Sequence, residues 1–296
     1  MLHCRITKYS NFAFSFLRFN NNLKQARKAA SLSNKHQNKM LREFSIHAFD
    51  GKNQLTELAN SCYPAIDLLE HLASSARTAR RIVDRFAKYL RGPVLEVGGG
   101  LGQISNELVN AGLSVSVLEP DQALFEELSK RFADFSPIEV VRGTVGTFKE
   151  NTRYGSAIYI NVLEHIADDV DELRQVSKFL VPDGLVVIFS PALPSLYGTM
   201  DGLSGHFRRY TKKELISKLQ SAGFQLVHVE YFDPVGVLPY FLAYRVLKIR
   251  TIGGGGMFLY DNIILPISTV LERLTRGRLI GKNLLIVGQK IRDESK

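Results

Sequence analysis

The chain has 296 residues, of which 45% are hydrophobic and 23% charged, a balance typical of a globular protein with one large core. Its net charge of +9 is concentrated at the start, because residues 1–40 contain eight basic residues and no acidic one. Residues 41–296 are almost neutral, with 30 basic and 29 acidic residues. Charge therefore gives no support for a nucleic-acid partner, and we expect none.

Segment 1–40 is also rich in Asn and Ser, and three interpretations of it are open. We expect a disordered leader, and the alternatives are an organelle-targeting presequence and a product of start-site choice with Met40 as the initiator. We expect a cytoplasmic protein, with organelle import as the alternative for a eukaryotic source. The two cysteines, Cys4 and Cys62, lack the spacing of a metal or redox site. No apolar run reaches the roughly 18 residues that span a bilayer.

Apolar patterns and turn residues predict the order of the elements. A helical segment, 41–92, precedes the main domain, 93–296, and its helix 64–91 ends at Gly92-Pro93. Asp121 is expected to cap one later helix, and Thr211 to open another through a capping box. A turn is predicted at 182–184, Pro-Asp-Gly, before the fifth strand. The predicted helices of the main domain are 103–111, 122–133, 169–180 and 212–223. The predicted strands are 94–97, 115–119, 138–141, 157–160, 185–189, 224–231 and 284–287. This alternation predicts an α/β fold with a doubly wound, mostly parallel, seven-stranded sheet.

About fifty residues between the last two strands exceed what such a sheet needs, and we assign a helical insertion to 235–275. Apolar residues surround its two segments, 235–249 and 257–274, rather than forming one stripe, a pattern typical of buried helices. Two interpretations are open. The segments are extra helices packed on the core, or a substrate cover in which 235–274 contacts a membrane surface and a lipid-like acceptor.

The most informative stretch is a glycine-rich turn between the first strand and the first helix of the main domain. Gly98, Gly100 and Gly102 follow the strand at once, and an acidic residue, Glu119, ends the second strand. Glycines at such a turn let the backbone approach a ligand closely. A carboxylate at the end of the second strand can accept both hydroxyls of a ribose. The pattern therefore predicts a nucleoside site.

Spacing distinguishes between two classes of nucleoside. In the dinucleotide fingerprint G-x-G-x-x-G, the third glycine would stand at the position of Gln103. The chain instead reads E-x-G-x-G-x-G from Glu96, and a carboxylate there suits a cationic ligand and would repel a diphosphate. This motif resembles the first motif of the class I S-adenosylmethionine (SAM) methyltransferases. In that family an acidic residue at the position of Glu96 helps to hold the methionine end of the cofactor.

The resemblance covers about residues 90–290 and continues through segments 159–165, 191–210 and 281–284, where it is to a bacterial-type subgroup with undefined small-molecule acceptors. It implies SAM as the cofactor. The residues implied to bind SAM are Glu96, Gly98, Gly100, Gly102, Gln103, Glu119, Pro120, Asp121, Gly143, Thr144, Asn161, Val162 and Leu163. One departure stands at Gly143-Thr144, where many of these enzymes have an acidic residue for the adenine amino group.

Two segments carry candidate chemistry for the acceptor. His165 follows the fourth strand and His206 lies in loop 191–210; either can remove a proton near neutral pH. The same loop supplies the candidate acceptor-binding residues Tyr197, Asp201, Arg208, Arg209 and Tyr210. An arginine there can recognise a carboxylate or phosphate. Alternatively, His165 packs at the rim of the pocket and the basic loop forms salt bridges with Glu164 or Asp201. We expect no metal, because no acidic cluster with ligand spacing is present.

The resemblance implies a methyltransferase that moves a methyl group from SAM to a small-molecule or lipid-linked acceptor by in-line displacement. Two alternatives remain at this point. One is a nicotinamide-dependent oxidoreductase, and the other is a methyltransferase-like module without catalysis.

Overall fold

The computed structural model describes residues 76–149, 151–250 and 259–292. The leader 1–40, the first part of the predicted segment 41–92 and the glycine run 253–256 lie outside the described residues. The described elements, in chain order, are α1 (Ala76–Phe86), β1 (Val94–Val97), α2 (Gln103–Asn110), β2 (Val115–Glu119), α3 (Gln122–Phe132), β3 (Ile138–Arg142), β4 (Tyr154–Ile160), α4 (Asp169–Ser177), β5 (Leu180–Pro191), α5 (Thr199–Ser204), α6 (Lys212–Ser221), β6 (Phe224–Phe232), α7 (Val237–Tyr240), α8 (Leu265–Thr275) and β7 (Asn283–Lys290).

The strands form one seven-stranded sheet in the order β3-β2-β1-β4-β5-β7-β6. Strands β1 to β5 pair in parallel, whereas β7 runs antiparallel between β5 and β6. This confirms the predicted fold. The chain order reverses between β1 and β4, and in open parallel sheets a crevice for ligands lies at such a point, outside the carboxyl ends of the strands.

Both faces of the sheet are covered, which explains why its central strands are apolar throughout. All four residues of β1 are buried, including the carboxylate of Glu96. Side chains alternate between faces, so Val94 packs with Phe86 of α1 on one side while Leu95 belongs to the cluster with Leu215 of α6 on the other. The polar groups of a ligand site are thereby left to the strand ends.

One predicted helix and the turn after it differ from the structure. Helix α4 ends at Ser177, and β5 already begins at Leu180, so the predicted turn 182–184 lies within this strand. The pairing with β4 shifts register there, and Asp183 adopts a φ of +60°. A register shift lets turn residues stay inside a strand because the extra residues are left out of the ladder.

The insertion is helical, as predicted, but only one side of it is buried. Helix α7 continues into a π-helical turn at Phe241–Val246, and another, Tyr260–Ile264, precedes α8. In α8 the buried positions are Leu265, Ser268 and Glu272, while Leu274 is 74% exposed. Among the described helices, none is both long enough and apolar enough to cross a bilayer.

Candidate cofactor and acceptor site

Two glycines of the loop after β1 occupy positions that a larger residue could not take. Gly98 and Gly102 have φ values of +79° and +72°. A Cβ atom at Gly98 would lie 2.5 Å from Cγ2 of Val162, and one at Gly102 would lie 2.6 Å from the ring of Phe132. The loop therefore packs directly against the segment after β4 and against α3, which brings two groups of predicted site residues together.

Glu119, at the end of β2, connects this loop to the start of α3. Its side chain is fully buried, and its two oxygens accept the backbone N–H groups of Gly100, at 2.8 Å, and of Asp121, at 3.0 Å. Burial raises the pKa of Glu119 to about 7. Asp121 caps α3 as predicted, because one of its oxygens accepts the N–H groups of Ala123 and Leu124.

Glu96, in the middle of β1, is the second buried carboxylate beside the loop. It accepts a hydrogen bond of 2.6 Å from the hydroxyl of Ser105, a residue of α2 that the sequence did not single out. Burial, with a further contribution from the charge of Glu119, raises the pKa of Glu96 to about 8. Gln103 begins α2 and is half-buried. A cation bound beside these two carboxylates would lower their pKa values and so favour their ionised forms. The ligand that the motif predicts carries such a positive charge.

The other predicted cofactor residues lie at the ends of β2, β3 and β4. Pro120 is exposed, and the N–H of Gly143 donates to the carbonyl of Glu119 at 3.2 Å. Thr144 is exposed, with its hydroxyl 3.4 Å from that of Thr147. That Thr144 binds SAM stays a prediction.

Beyond β4, Asn161 adopts a left-handed backbone, with a φ of +54°, and its N–H donates to the carbonyl of Phe189 at 2.7 Å. Val162 is half-buried against the glycine loop, and Leu163 is fully buried. The chain then enters a short 3-10 turn, Leu163–His165.

This turn and loop 191–210 bring both predicted catalytic histidines together with a buried acid. The rings of His165 and His206 lie edge to face with centroids 4.7 Å apart. Glu164 is fully buried and accepts the hydroxyl of Ser190 at 3.0 Å. Burial raises the pKa of Glu164 to about 7, although the charge of His206 acts against it.

Asp201 organises the loop that carries His206. Its carboxylate is fully buried and lies 3.0 Å from Nδ1 of His206 and 2.7 Å from Nε of Arg209. It also accepts the N–H of Gly198 at 2.9 Å and the hydroxyl of Tyr240 at 3.2 Å. Burial by itself would raise the pKa of Asp201, but the hydrogen bond from His206 and the charge of Arg209 hold it below the ordinary value.

The remaining predicted acceptor residues support the loop. The hydroxyl of Tyr210, which is fully buried, donates to Asp169 at 2.8 Å. Arg208 is half-buried and donates to the same carboxylate, also at 2.8 Å. The hydroxyl of Tyr197 donates to the carbonyl of His206 at 2.7 Å. The buried side chains of Asp201, Arg209 and Tyr210 therefore stabilise the conformation of the loop. Asp169 is a partner of this loop that the sequence did not indicate.

The insertion contacts this loop through residue pairs that the sequence did not specify. The guanidinium of Arg209 lies 4.4 Å from the ring centre of Tyr240, and the hydroxyl of Thr199 donates to the carbonyl of Ile249 at 2.6 Å. Buried Asp233, after β6, accepts the hydroxyl of Ser268 in α8 at 2.5 Å. In α8, Glu272 pairs with Arg81 of α1 at 2.5 Å. These contacts thus hold the insertion against the loop of His206 and against α1.

The raised pKa values predict how the stability of the ligand-free protein depends on pH. The pKa of Glu96 is about 8 in the folded protein and 4.5 in the unfolded chain. Its contribution to stability is fully present below pH 4.5 and is lost as the pH rises through the folded-state pKa. The melting temperature should therefore fall between about pH 5 and about pH 9, and fall less in the Glu96→Gln variant. Thermal unfolding across this range measures the slope. The exposed Glu139→Gln change should leave the slope as in the wild type, and an equal slope in Glu96→Gln would contradict the assignment.

Comparison with known proteins agrees with this geometry. The family model described as "Methyltransferase domain" matches residues 67–229, more than half of the chain. A solved SAM-dependent methyltransferase from Archaeoglobus fulgidus aligns with 73% of this chain and 95% of its own, at 18% identity and a TM-score of 0.50. Phosphoethanolamine N-methyltransferase 2 from Haemonchus contortus, in complex with SAM, aligns with 82% of this chain and 61% of its own, at 13% identity and a TM-score of 0.54.

The curated relatives correct one expectation. "Probable ribosomal RNA small subunit methyltransferase A" from Methanococcoides burtonii is 34% identical over 76 residues, which are 26% of this chain and 28% of that protein. The chain spans about a third of the length of the first relatives that it matches. Our expectation that nucleic acid has no place among the partners is wrong, given these relatives. A net charge is a sum over the whole surface and does not exclude a local basic region.

The fold, the glycine loop and the family match all indicate a SAM-dependent methyltransferase, and none of them favours a nicotinamide-dependent oxidoreductase. SAM is the cofactor of this family. The chain belongs to this methyltransferase family and is a class I SAM-dependent methyltransferase.

Proposed function

We propose that the protein methylates a small-molecule or lipid-linked acceptor that binds beside His165 and His206. The observation that carries this proposal is the contact between Gly98 and Val162, because it brings the cofactor loop next to the turn with His165. An acceptor beside the two histidines would thus be near the methionine end of the cofactor.

Two carboxylates beside the glycine loop suit the two ends of SAM, its ribose and its methionine. Glu119 would accept the ribose hydroxyls, and Glu96 would stabilise the positively charged methionine end. Both carboxylates are buried, where an electrostatic interaction with a cation is stronger than in water. When bound, SAM supplies an electrophilic methyl group on a sulfonium.

His206 is the better candidate to take a proton from the acceptor. Asp201 binds Nδ1, so the carboxylate fixes the orientation of the ring and stabilises its protonated form. Nε2 is then the nitrogen that would accept the proton, with His165 against the ring. Most of the rate is expected from alignment of the acceptor, because holding two reactants in line removes an entropic barrier.

The insertion supports a small or lipid-linked acceptor. Tyr240 bonds to Asp201, and its neighbours Leu238 and Leu242 are 63% and 45% exposed. An apolar surface next to a polar catalytic loop suits an acceptor with an apolar part. RNA is the second candidate, favoured by the rRNA methyltransferases among the relatives.

Methyl-labelled SAM incubated with the protein and separate lipid, metabolite and rRNA fractions tests this proposal. Label is expected in the lipid or metabolite fraction, whereas label in rRNA alone would contradict the proposal in favour of the second candidate. The His206→Gln variant should lower incorporation about 100-fold, since alignment is retained and only proton transfer by a general base is lost. The matched His228→Gln change, at a half-buried histidine of β6, should leave incorporation unchanged.

A further inference from the structure

We propose that Glu164, His165 and His206 bind a divalent transition-metal ion at the acceptor end of the site. One possible ligand atom from each residue lies within 4.8 Å of the other two. The sequence predicts no metal, because it contains no acidic cluster with ligand spacing. His206, however, comes from a loop about 40 residues beyond His165, so the spacing along the chain does not reveal the cluster.

The donor set indicates the kind of metal. Two imidazole nitrogens and one carboxylate oxygen suit Zn²⁺, Fe²⁺ or Co²⁺, whereas Mg²⁺ and Ca²⁺ prefer oxygen ligands throughout. At metal–ligand distances of about 2.1 Å, neighbouring ligand atoms lie roughly 3 to 3.5 Å apart. The ligand atoms of Glu164, His165 and His206 would therefore have to approach one another by about 1 to 2 Å, which small side-chain rotations allow.

A second observation concerns the unused oxygen of Glu164. The side chain is fully buried, and Oε2 accepts the hydroxyl of Ser190. Oε1 is also buried, and it has no hydrogen-bond partner among the described residues. Buried acceptors without a protein partner are rare in native proteins, and they commonly bind an ion or an ordered water molecule.

A third observation is the contact between Asp201 and His206. A histidine that binds a metal through one nitrogen commonly donates its other N–H to a carboxylate, which orients the ring and makes it more basic. Nδ1 of His206 lies 3.0 Å from Oδ1 of Asp201, so Nε2 is the nitrogen to act as ligand. Ser190 orients Glu164 in a corresponding way, because its hydroxyl donates to Oε2.

The role of such an ion rests on the proposed function, because the cluster lies where the acceptor is proposed to bind. A bound metal would orient an oxygen of the acceptor and lower its pKa. In a metal-loaded protein the two histidines would act as ligands, and the ion would activate the acceptor in place of His206 as general base.

Titration of chelator-treated protein with Co²⁺ tests the site independently of methyl transfer. Bound Co²⁺ is expected to show visible absorption that saturates at one equivalent. Glu164→Gln should weaken Co²⁺ binding about 100-fold, since loss of a direct ligand is at least as severe as loss of an outer-shell partner. His228→Gln is the matched control, because His228 lies 3.5 Å from another buried carboxylate, Glu230. Among the described residues this pair has no third possible ligand beside it.

Binding of S-adenosylhomocysteine to each variant shows that the fold is intact. Absence of saturable Co²⁺ binding, or equal binding by wild type and Glu164→Gln, would overturn the metal site. The labelled-methyl experiment is then still able to support the proposed acceptor class. Conversely, failure of methyl transfer to any small or lipid-linked acceptor leaves the Co²⁺ result to stand by itself.

Discussion

Replacing Glu119 with alanine is expected to weaken the binding of S-adenosylhomocysteine about 100-fold. In the proposed site, two hydrogen bonds from ribose hydroxyls to the buried carboxylate of Glu119 would contribute about 1.5 kcal/mol each, and their sum of about 3 kcal/mol corresponds to about two powers of ten in affinity. The variant also leaves the N–H groups of Gly100 and Asp121 without their acceptor, which loosens the loop. Isothermal titration calorimetry measures the affinity directly.

Two further variants separate these contributions. Glu119→Gln keeps the shape of the side chain and removes its charge, so an intermediate loss of affinity is expected. Glu126→Ala removes an exposed carboxylate from α3 and should bind like the wild type. Undiminished affinity in Glu119→Ala would mean that the ribose is held elsewhere.

The Asp201→Asn variant is expected to have a free energy of unfolding about 3 kcal/mol lower than the wild type, because it leaves a buried cation without its counter-charge. The side chain of Arg209 is 2% exposed and loses the carboxylate that lies 2.7 Å from Nε. His206 and Tyr240 lose the same partner, so the loop and the insertion are affected together. Urea unfolding followed by circular dichroism measures the difference.

Asp183→Asn is the matched control for this change. Asp183 pairs with Arg292, whose side chain is 72% exposed, and exposed ion pairs contribute little to stability. Asparagine also tolerates the left-handed backbone at position 183. The unfolding midpoint of Asp183→Asn should therefore remain close to that of the wild type. A similar shift in both variants would show that the network around Asp201 has no special weight.

The arrangement of the candidate cofactor residues could be predicted because its signals are local. Gly98, Gly100 and Gly102 follow directly on β1, and Glu119 ends the next strand, so topology alone brings them together at one edge of the sheet. The cap at Asp121 was equally readable, because a side chain that caps a helix acts on the next few residues.

The acceptor half could be predicted only in part, because its contacts join distant segments. His165 and His206 were recognised separately by residue type, yet nothing in their spacing indicates that their rings touch. Glu164 reads as one polar residue in an apolar run, and Tyr240 as one aromatic residue of the insertion. Their roles follow from tertiary packing, which a single sequence does not display.

The position of β7 has a consequence for the order in which the chain can fold. Within the described sheet β6 pairs only with β7, and β7 follows the insertion in the chain. During synthesis the strands β1 to β5 can associate as they leave the ribosome, whereas β6 must wait for residues 283–290. Helices α7 and α8 of the insertion lie between these two strands in the chain, so we expect their contacts with Asp233, after β6, and with α1 to become stable only after translation of β7.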